Sequence, residues 1–424
     1  MGNGHKSPYF ADNMQEFERF EMPNGLQVVL HPAPSAITHL VLMVNRGSRD
    51  EELNAPGVAH FLEHTLFKGT TKRKAFQILS RIDSVGGELN AYTSKEETCL
   101  YASVQRPYLS RALELMSDIA WNCTFPEKEV EKERAVILDE LASYQDSPSD
   151  LILDEFDELL FPGHPLGQNI LGTPQSLKSV ERGRLLDFYR KHYRPSNMVL
   201  VCSGRHTRKE LEPHLMKWFA QEMEGCETYR STPQKPLPIR VKKTKPIQQD
   251  HVVLGTFLTH RERTHRPELA LLNNYFGGPG MNSRLNLAIR ERYGYTYNLE
   301  SSYQLYSDCG YFTVYLGTDA QHVERCLELI EGEMKKLRAD RLSARQLQSI
   351  KRQWSGNMAL AQDNRSSLAN GLAKSLFMYG KIDSTVDVQR RVEQVSAEQM
   401  LECAREVMQP SSQLLLHYQA EASS

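Results

Sequence analysis

The sequence has no apolar run approaching the roughly 18–20 residues of a membrane-spanning helix. Its 424 residues also show no charge excess, with 51 Lys and Arg against 53 Asp and Glu. The first absence excludes a helical membrane protein. The second removes the electrostatic footprint of a nucleic-acid binder or a polyanionic tail. The opening residues, MGNGHKSPYFADNMQEF, lack the apolar stretch of a secretory signal. Lys6 stands where a myristoylation site needs Ser or Thr. Cysteine is sparse and scattered, at 99, 123, 202, 226, 309, 326 and 403, with no C-x-x-C pair. That spacing excludes a disulfide framework and a cysteine-based zinc site. The expectation is a soluble cytoplasmic protein with reduced thiols and no membrane or nucleic-acid partner, long enough for two to four domains.

What is present divides near the middle. Residues 227–247, ETYRSTPQKPLPIRVKKTKPI, are rich in Pro, Lys and Thr and lack helical periodicity, as a linker does. The halves on either side share an order of elements. Each opens with a strand-like run, THLVLMVNRG at 38–47 and DHVVLGTFLTH at 250–260. Helices follow over 57–68 and 267–276, then a second helix, then a hairpin-like pair of strands, then a long amphipathic helix. This order predicts an α+β fold of two related domains of similar size, over 16–226 and 248–420. In each, an antiparallel or mixed sheet is covered by helices on one face.

Within GVAHFLEHTLFKGT (57–70), His60, Glu63 and His64 fall on one helical face. Val58, Phe61, Leu62, Thr65 and Leu66 fall on the opposite, apolar arc. Histidines at i and i+4 bring two imidazoles to one point, where Zn²⁺ can be held. A carboxylate one turn along the same face can act on a metal-activated water without being a ligand. An open zinc site needs a third protein ligand, and the predicted helix over 125–146 offers one. Its apolar stripe of Val130, Val136, Ile137, Leu141 and Tyr144 contains Glu133 and Glu140, seven residues apart. Carboxylates on a buried face are costly unless a cation satisfies them, either a metal or a buried Lys or Arg. The loop histidine His164, the Gly-rich GGPGMNSR at 277–284 and the tyrosines 293, 295, 303 and 306 read as turn or sheet-packing residues.

His60-x-x-Glu63-His64 followed by Glu140 resembles the inverted zinc motif of the M16 (pitrilysin/insulinase-like) metallopeptidases. GSRDEELNAPGVAHFLEHTLFKGT, SVGGELNAYTSKEETCLY, EKERAVILDE, ILGTPQSL and YRPSNMVLVCSG fit as well. The likeness spans about residues 16–420 and is nearest the short, mitochondrial-processing-peptidase-like M16B type, in which two chains close one chamber. It implies one Zn²⁺ per chain on His60, His64 and Glu140, with Glu63 as general base and Glu133 as a supporting catalytic carboxylate. It also implies a substrate-binding edge strand at Asn90, Ala91 and Tyr92, and an Arg290/Tyr297 pair holding the substrate from the opposite side. Tyr295 stands where the family pattern around that pair has Leu. The second half has no H-x-x-E-H and cannot build a like zinc site. The implied activity is a zinc-dependent metalloendopeptidase acting on unfolded polypeptide. Because one chain carries both residue sets, the implied assembly is a homodimer, with a heterodimer with an inactive homologue as the alternative. A catalytically silent scaffold subunit and a site-specific presequence-type peptidase are the competing functions.

Overall fold

The computed structural model describes residues 17–225, 229–259 and 266–421. The first half supplies strands β1 (Glu18–Glu21), β2 (Gln27–Pro32), β3 (Ile37–Val44), β4 (Glu88–Thr93), β5 (Thr98–Gln105) and β6 (Met198–Gly204). The second supplies β7 (Arg240–Lys245), β8 (Asp250–Leu258), β9 (Asn298–Leu305), β10 (Gly310–Thr318) and β11 (Gln413–Ala420). They form two sheets, ordered β1-β2-β6-β3-β5-β4 and β7-β11-β8-β10-β9.

The likeness between halves, legible in sequence only as element order, extends to pairing. β2 runs parallel to β6, and each later neighbour is antiparallel: β6 to β3, β3 to β5, β5 to β4. The other sheet repeats this with β7 parallel to β11, then β11 to β8, β8 to β10 and β10 to β9 antiparallel. Only β1 has no counterpart among the described strands.

The chain divides into two compact units, and the division differs from a single cut at 227–247. The first unit comprises the chain up to Ala142 with Gln168–Arg230 and Ala359–Ser384. The second comprises Ser143–Gly167, Ser231–Met358 and the chain from Thr385 onward. Each unit therefore takes a helix from the other half of the sequence. The Arg365–Tyr379 helix sets Ala369, Leu372, Ala373 and Leu376 on Val29, Val41, Met43, Val199 and Val201 of the first sheet. The Pro148–Leu160 helix sets Ile152, Phe156 and Leu160 on Val253, Phe257, Leu414 and Leu416 of the second. At Gly255 a Cβ would lie 2.7 Å from the Phe156 ring, so glycine lets that helix seat.

The borrowed helices explain why the central strands read as unbroken apolar runs. β6 is buried at every position, as a strand covered on both faces must be. The other face of the first sheet packs against helices of its own half, where Leu42, Val44 and Leu100 meet Leu66, Ile119 and Tyr193. The expected linker is also shorter than 227–247, because Arg240–Lys245 pairs as an edge strand whose exposed lysines suit an edge.

Residues 17–226 expressed alone lack the helix covering one face of their sheet. They are expected to bind a hydrophobic dye and melt without a cooperative transition. A cooperative calorimetric unfolding of that fragment would contradict the shared-helix packing.

Six cysteines are free and buried, in keeping with reduced thiols, while Cys226 lies outside the described residues. So does His260 of the strand run expected over 250–260; β8 ends at Leu258. No helix among the described residues is long and apolar enough to cross a membrane.

Candidate metal centre

The His-Glu-His segment forms the Val58–Thr65 helix, entered through Gly57 at φ 97°. A Cβ there would meet the Leu171 carbonyl oxygen at 2.9 Å and the Gly172 Cα at 3.0 Å. Glycine is thus required where the ILGTPQSL segment crosses the helix start. Having no side chain, Gly57 cannot cap the helix, and Glu51 does so from six residues upstream. Its carboxylate accepts the N–H of Gly57 at 2.9 Å and of Ala59 at 2.6 Å. Burial pushes the Glu51 carboxyl up to about 8, against the pull of those two N–H groups.

The apolar arc is buried as its spacing requires: Val58, Phe61, Leu62, Thr65 and Leu66 are each at most 3% exposed. Arg134 closes the packing from the Glu127–Gln145 helix. Its guanidinium lies 5.5 Å from the Phe61 ring centroid and donates to the Leu177 and Val180 carbonyls.

The opposite side carries the chemistry. The rings of His60 and His64 meet edge to face with centroids 4.6 Å apart. Glu140 reaches across from the neighbouring helix, with Oε1 3.9 Å from His60 Nε2 and Oε2 3.3 Å from His64 Nε2. His60, His64 and Glu140 each offer one ligand atom, all within 4.8 Å of one another, and they form the one such cluster among the described residues. Two imidazoles and a carboxylate form the donor set of an open hydrolytic zinc site. Ligation needs neutral imidazole. Burial, reinforced by the nearby His64, pulls His60 down to about 3 and keeps it neutral. The residues present therefore fit a zinc ion, and these three would hold it.

Two carboxylates flank the cluster in different roles. Glu63 Oε2 lies 4.0 Å from His60 Nε2, close to the cluster yet outside it. Burial pushes its carboxyl up to about 7, with His64 opposing and Glu140 adding to the rise. Glu133 is buried; its Oε2 lies 3.3 Å from His64 Nδ1 and its Oε1 2.6 Å from Lys68 Nζ. Of the two partners open to a buried acid, Glu133 has the lysine, and it also holds the outer nitrogen of His64. Such outer carboxylates fix a ligand's tautomer and ring orientation. Lys68 escaped the sequence reading although its place was legible, four residues beyond His64 on the same face.

The expected buried stripe needs correction. Glu140 is 43% exposed at its side chain and Val136 is 48% exposed. This helix buries only Val130, Glu133, Ile137 and Leu141, a stripe one residue wide, and Glu140 sits on its shoulder facing the imidazoles.

β4, carrying Asn90, Ala91 and Tyr92, is the edge strand of its sheet and pairs with β5 on one side. Thr93 at its end donates to the Ala59 carbonyl of the histidine helix at 3.5 Å. Arg290 and Tyr297 come together in the second unit, the guanidinium 5.8 Å from the ring centroid and Tyr297 79% exposed. Arg290 lies on a π-helical turn, Asn286–Glu291, a form that recurs at functional sites. Tyr293 and Tyr295 are not sheet-packing residues, because β9 begins only at Asn298. They stack on each other, and Tyr295 stacks on His322 with centroids 4.1 Å apart.

The chain matches the family model for insulinase (peptidase family M16) over residues 27–174 and that for the peptidase M16 inactive domain over 179–354. An uncharacterized zinc protease of Bacillus subtilis is 30% identical over 394 residues, covering 92% of this chain and 95% of that protein. One from Rickettsia bellii is 31% identical over 404 residues, covering 94% and 96%. Among solved structures, a protease from Helicobacter pylori superposes with a TM-score of 0.88 at 20% identity, over 96% of this chain and all of that one. A Pseudomonas fluorescens M16 inactive-domain structure gives 0.89 at 19% identity, over 96% and 99%. The structures establish the shared fold. With two M16 family models matched in succession along the sequence and zinc-protease relatives sharing nearly its whole length, this chain belongs to peptidase family M16.

Proposed function

We propose that this chain is a zinc-dependent metalloendopeptidase that cleaves extended, unfolded polypeptide through an inverted H-x-x-E-H motif. The observation that carries this reading is the convergence of His60, His64 and Glu140 within 4.8 Å, with Glu63 beside them. A bound zinc ion supplies Lewis acidity to a water and to the scissile carbonyl. Glu63 takes the water's proton on a carboxylate oxygen and returns it to the nitrogen of the leaving amine. General acid–base work of this kind needs one positioned carboxyl that can both accept and return a proton, and Glu63 stands beside the cluster to do so. Glu133 holds His64 by Nδ1, keeping the Nε2 lone pair turned toward Glu140.

Substrate adds to the edge of β4 as a further strand, a mode that reads backbone and only loosely reads side chains. The Asn90 side chain accepts the Ala91 N–H at 2.8 Å, and an incoming strand displaces it. Arg290 and Tyr297 give a fixed guanidinium and a phenolic O–H to the substrate carbonyl and its developing negative charge.

One chain carrying both sets of groups supports a homodimer in which the zinc-binding unit of one copy works with the Arg290–Tyr297 unit of its partner. Mixing Glu63→Gln with Arg290→Ala protein is then expected to restore part of the activity that each lacks alone. Full activity in a monodisperse monomer would rule that assembly out.

The reading itself is tested by digesting an unfolded peptide library and identifying products by mass spectrometry. The expected result is many internal cuts, abolished by a chelator and restored by zinc. One cut per substrate would mark a processing peptidase instead. Intact peptides at every zinc concentration would mark a silent scaffold and overturn the proposal.

A further inference from the structure

We propose that Glu51 is a positioning residue for the metal centre, setting the place of His60 through the backbone that carries it. The inference rests on the zinc reading above and concerns a residue outside the ligand set.

The two histidines are held by different means. His64 is oriented through its ring, because Glu133 lies 3.3 Å from its Nδ1. The corresponding Nδ1 of His60 is buried and has no hydrogen-bond partner among the described residues. No side chain there fixes the His60 ring from behind, so its aim depends on where the first turn of the helix sits. That turn begins a helix of only eight residues and opens on a left-handed glycine that offers no cap of its own. Its first donors would be left unsatisfied, and a short helix frays from such an end.

Glu51 removes both problems. One carboxylate takes the N–H of Gly57 on Oε2 and the N–H of Ala59 on Oε1, gripping the residue before the helix and the residue before His60. Phe61 closes the same turn by donating to the Gly57 carbonyl at 2.9 Å. Glu51 is itself anchored in the Ser48–Asp50 turn, whose Arg49 pairs with Glu96 at 2.6 Å. Adjacent Asp50 pairs with Arg230 at 2.7 Å. The cap is thus held by a buried network of fixed charges and cannot drift with the helix. From Asp50 the path to the His60 Cα runs along the chain to Glu51 and through its hydrogen bonds of 2.9 and 2.6 Å.

The sign of the effect follows. Loss of the carboxylate frees the turn to move, which weakens zinc binding. Outer partners of metal ligands typically contribute tenfold to a hundredfold in affinity.

The test is a competitive chelator titration with Zn²⁺ on the full-length chain, at a temperature where circular dichroism shows each variant fully folded. Glu51→Ala is expected to weaken zinc binding tenfold to hundredfold. Glu51→Gln keeps one acceptor oxygen and is expected to fall in between, and it serves if the alanine variant does not fold. Leu211→Ala, a core truncation in the Arg208–Trp218 helix, controls for lowered stability and is expected to stay within twofold of wild type. Wild-type-like affinity in both folded Glu51 variants would overturn the inference while leaving the zinc reading intact. Equal loss in Leu211→Ala would also overturn it, reducing Glu51 to a stability residue. A wild-type chain that binds no zinc would instead refute the reading on which it rests.

Discussion

Glu63→Gln is expected to lower peptide cleavage by about a thousandfold while the protein retains its zinc. The glutamine keeps the size of the side chain but cannot accept the water's proton. General acid–base catalysis by one positioned group supplies about 10²–10⁴ in rate. Metal retention follows from the geometry, because the cluster of His60, His64 and Glu140 closes without Glu63. The substitution also removes a carboxyl that burial disfavours in its charged form, so no loss of fold is expected. Steady-state cleavage of a quenched peptide, paired with zinc analysis of the same sample, checks both halves. A variant cutting at the wild-type rate would show that another group carries the proton.

Glu140→Ala is expected to lose the metal and, with it, all activity. Removing one of three protein ligands should weaken zinc binding by more than the roughly 100-fold upper figure for outer partners. Stability should change little. Glu140 is 43% exposed and among the described residues pairs only with the two imidazoles, so its loss opens no core cavity. The contrast with Glu133 is informative, since that acid is buried against Lys68 and His64. Glu133→Ala is expected to be the less stable protein and the better zinc binder of the two. Chelator competition and thermal melts on both variants separate a ligand from a supporting acid. The reverse ranking in zinc affinity would exchange their roles.

What could be read in the sequence was whatever depends on near neighbours along a helix or strand. The spacing of His60, Glu63 and His64 put them on one side of a helix and Phe61 and Leu62 on the other; Phe61 and Leu62 are fully buried and Glu63 and His64 half-buried, while His60 is buried as well. Element order disclosed the repeat, though not that the pairing of both sheets would match strand for strand. Long-range features were out of reach. The Arg365–Tyr379 helix shows an apolar face in sequence, but nothing in its residues says that its partner is a sheet more than 150 residues upstream. The cap on the histidine helix was hidden for a related reason. Local rules look for the acceptor next to the helix start, and here it comes from Glu51 across a loop. Glu140 was misjudged because an apolar stripe was drawn too wide. Residues at the edge of a stripe are half in solvent, and that is where a ligand must stand to meet a substrate.

The central claim is that His60, His64 and Glu140 share one zinc ion. Diffraction from zinc-loaded crystals at the zinc absorption edge tests it most directly. The account predicts one anomalous peak per chain, about 2.0–2.2 Å from His60 Nε2, His64 Nε2 and a Glu140 carboxylate oxygen. A fully loaded crystal with no peak between these three side chains, or with its zinc bound elsewhere, would contradict it.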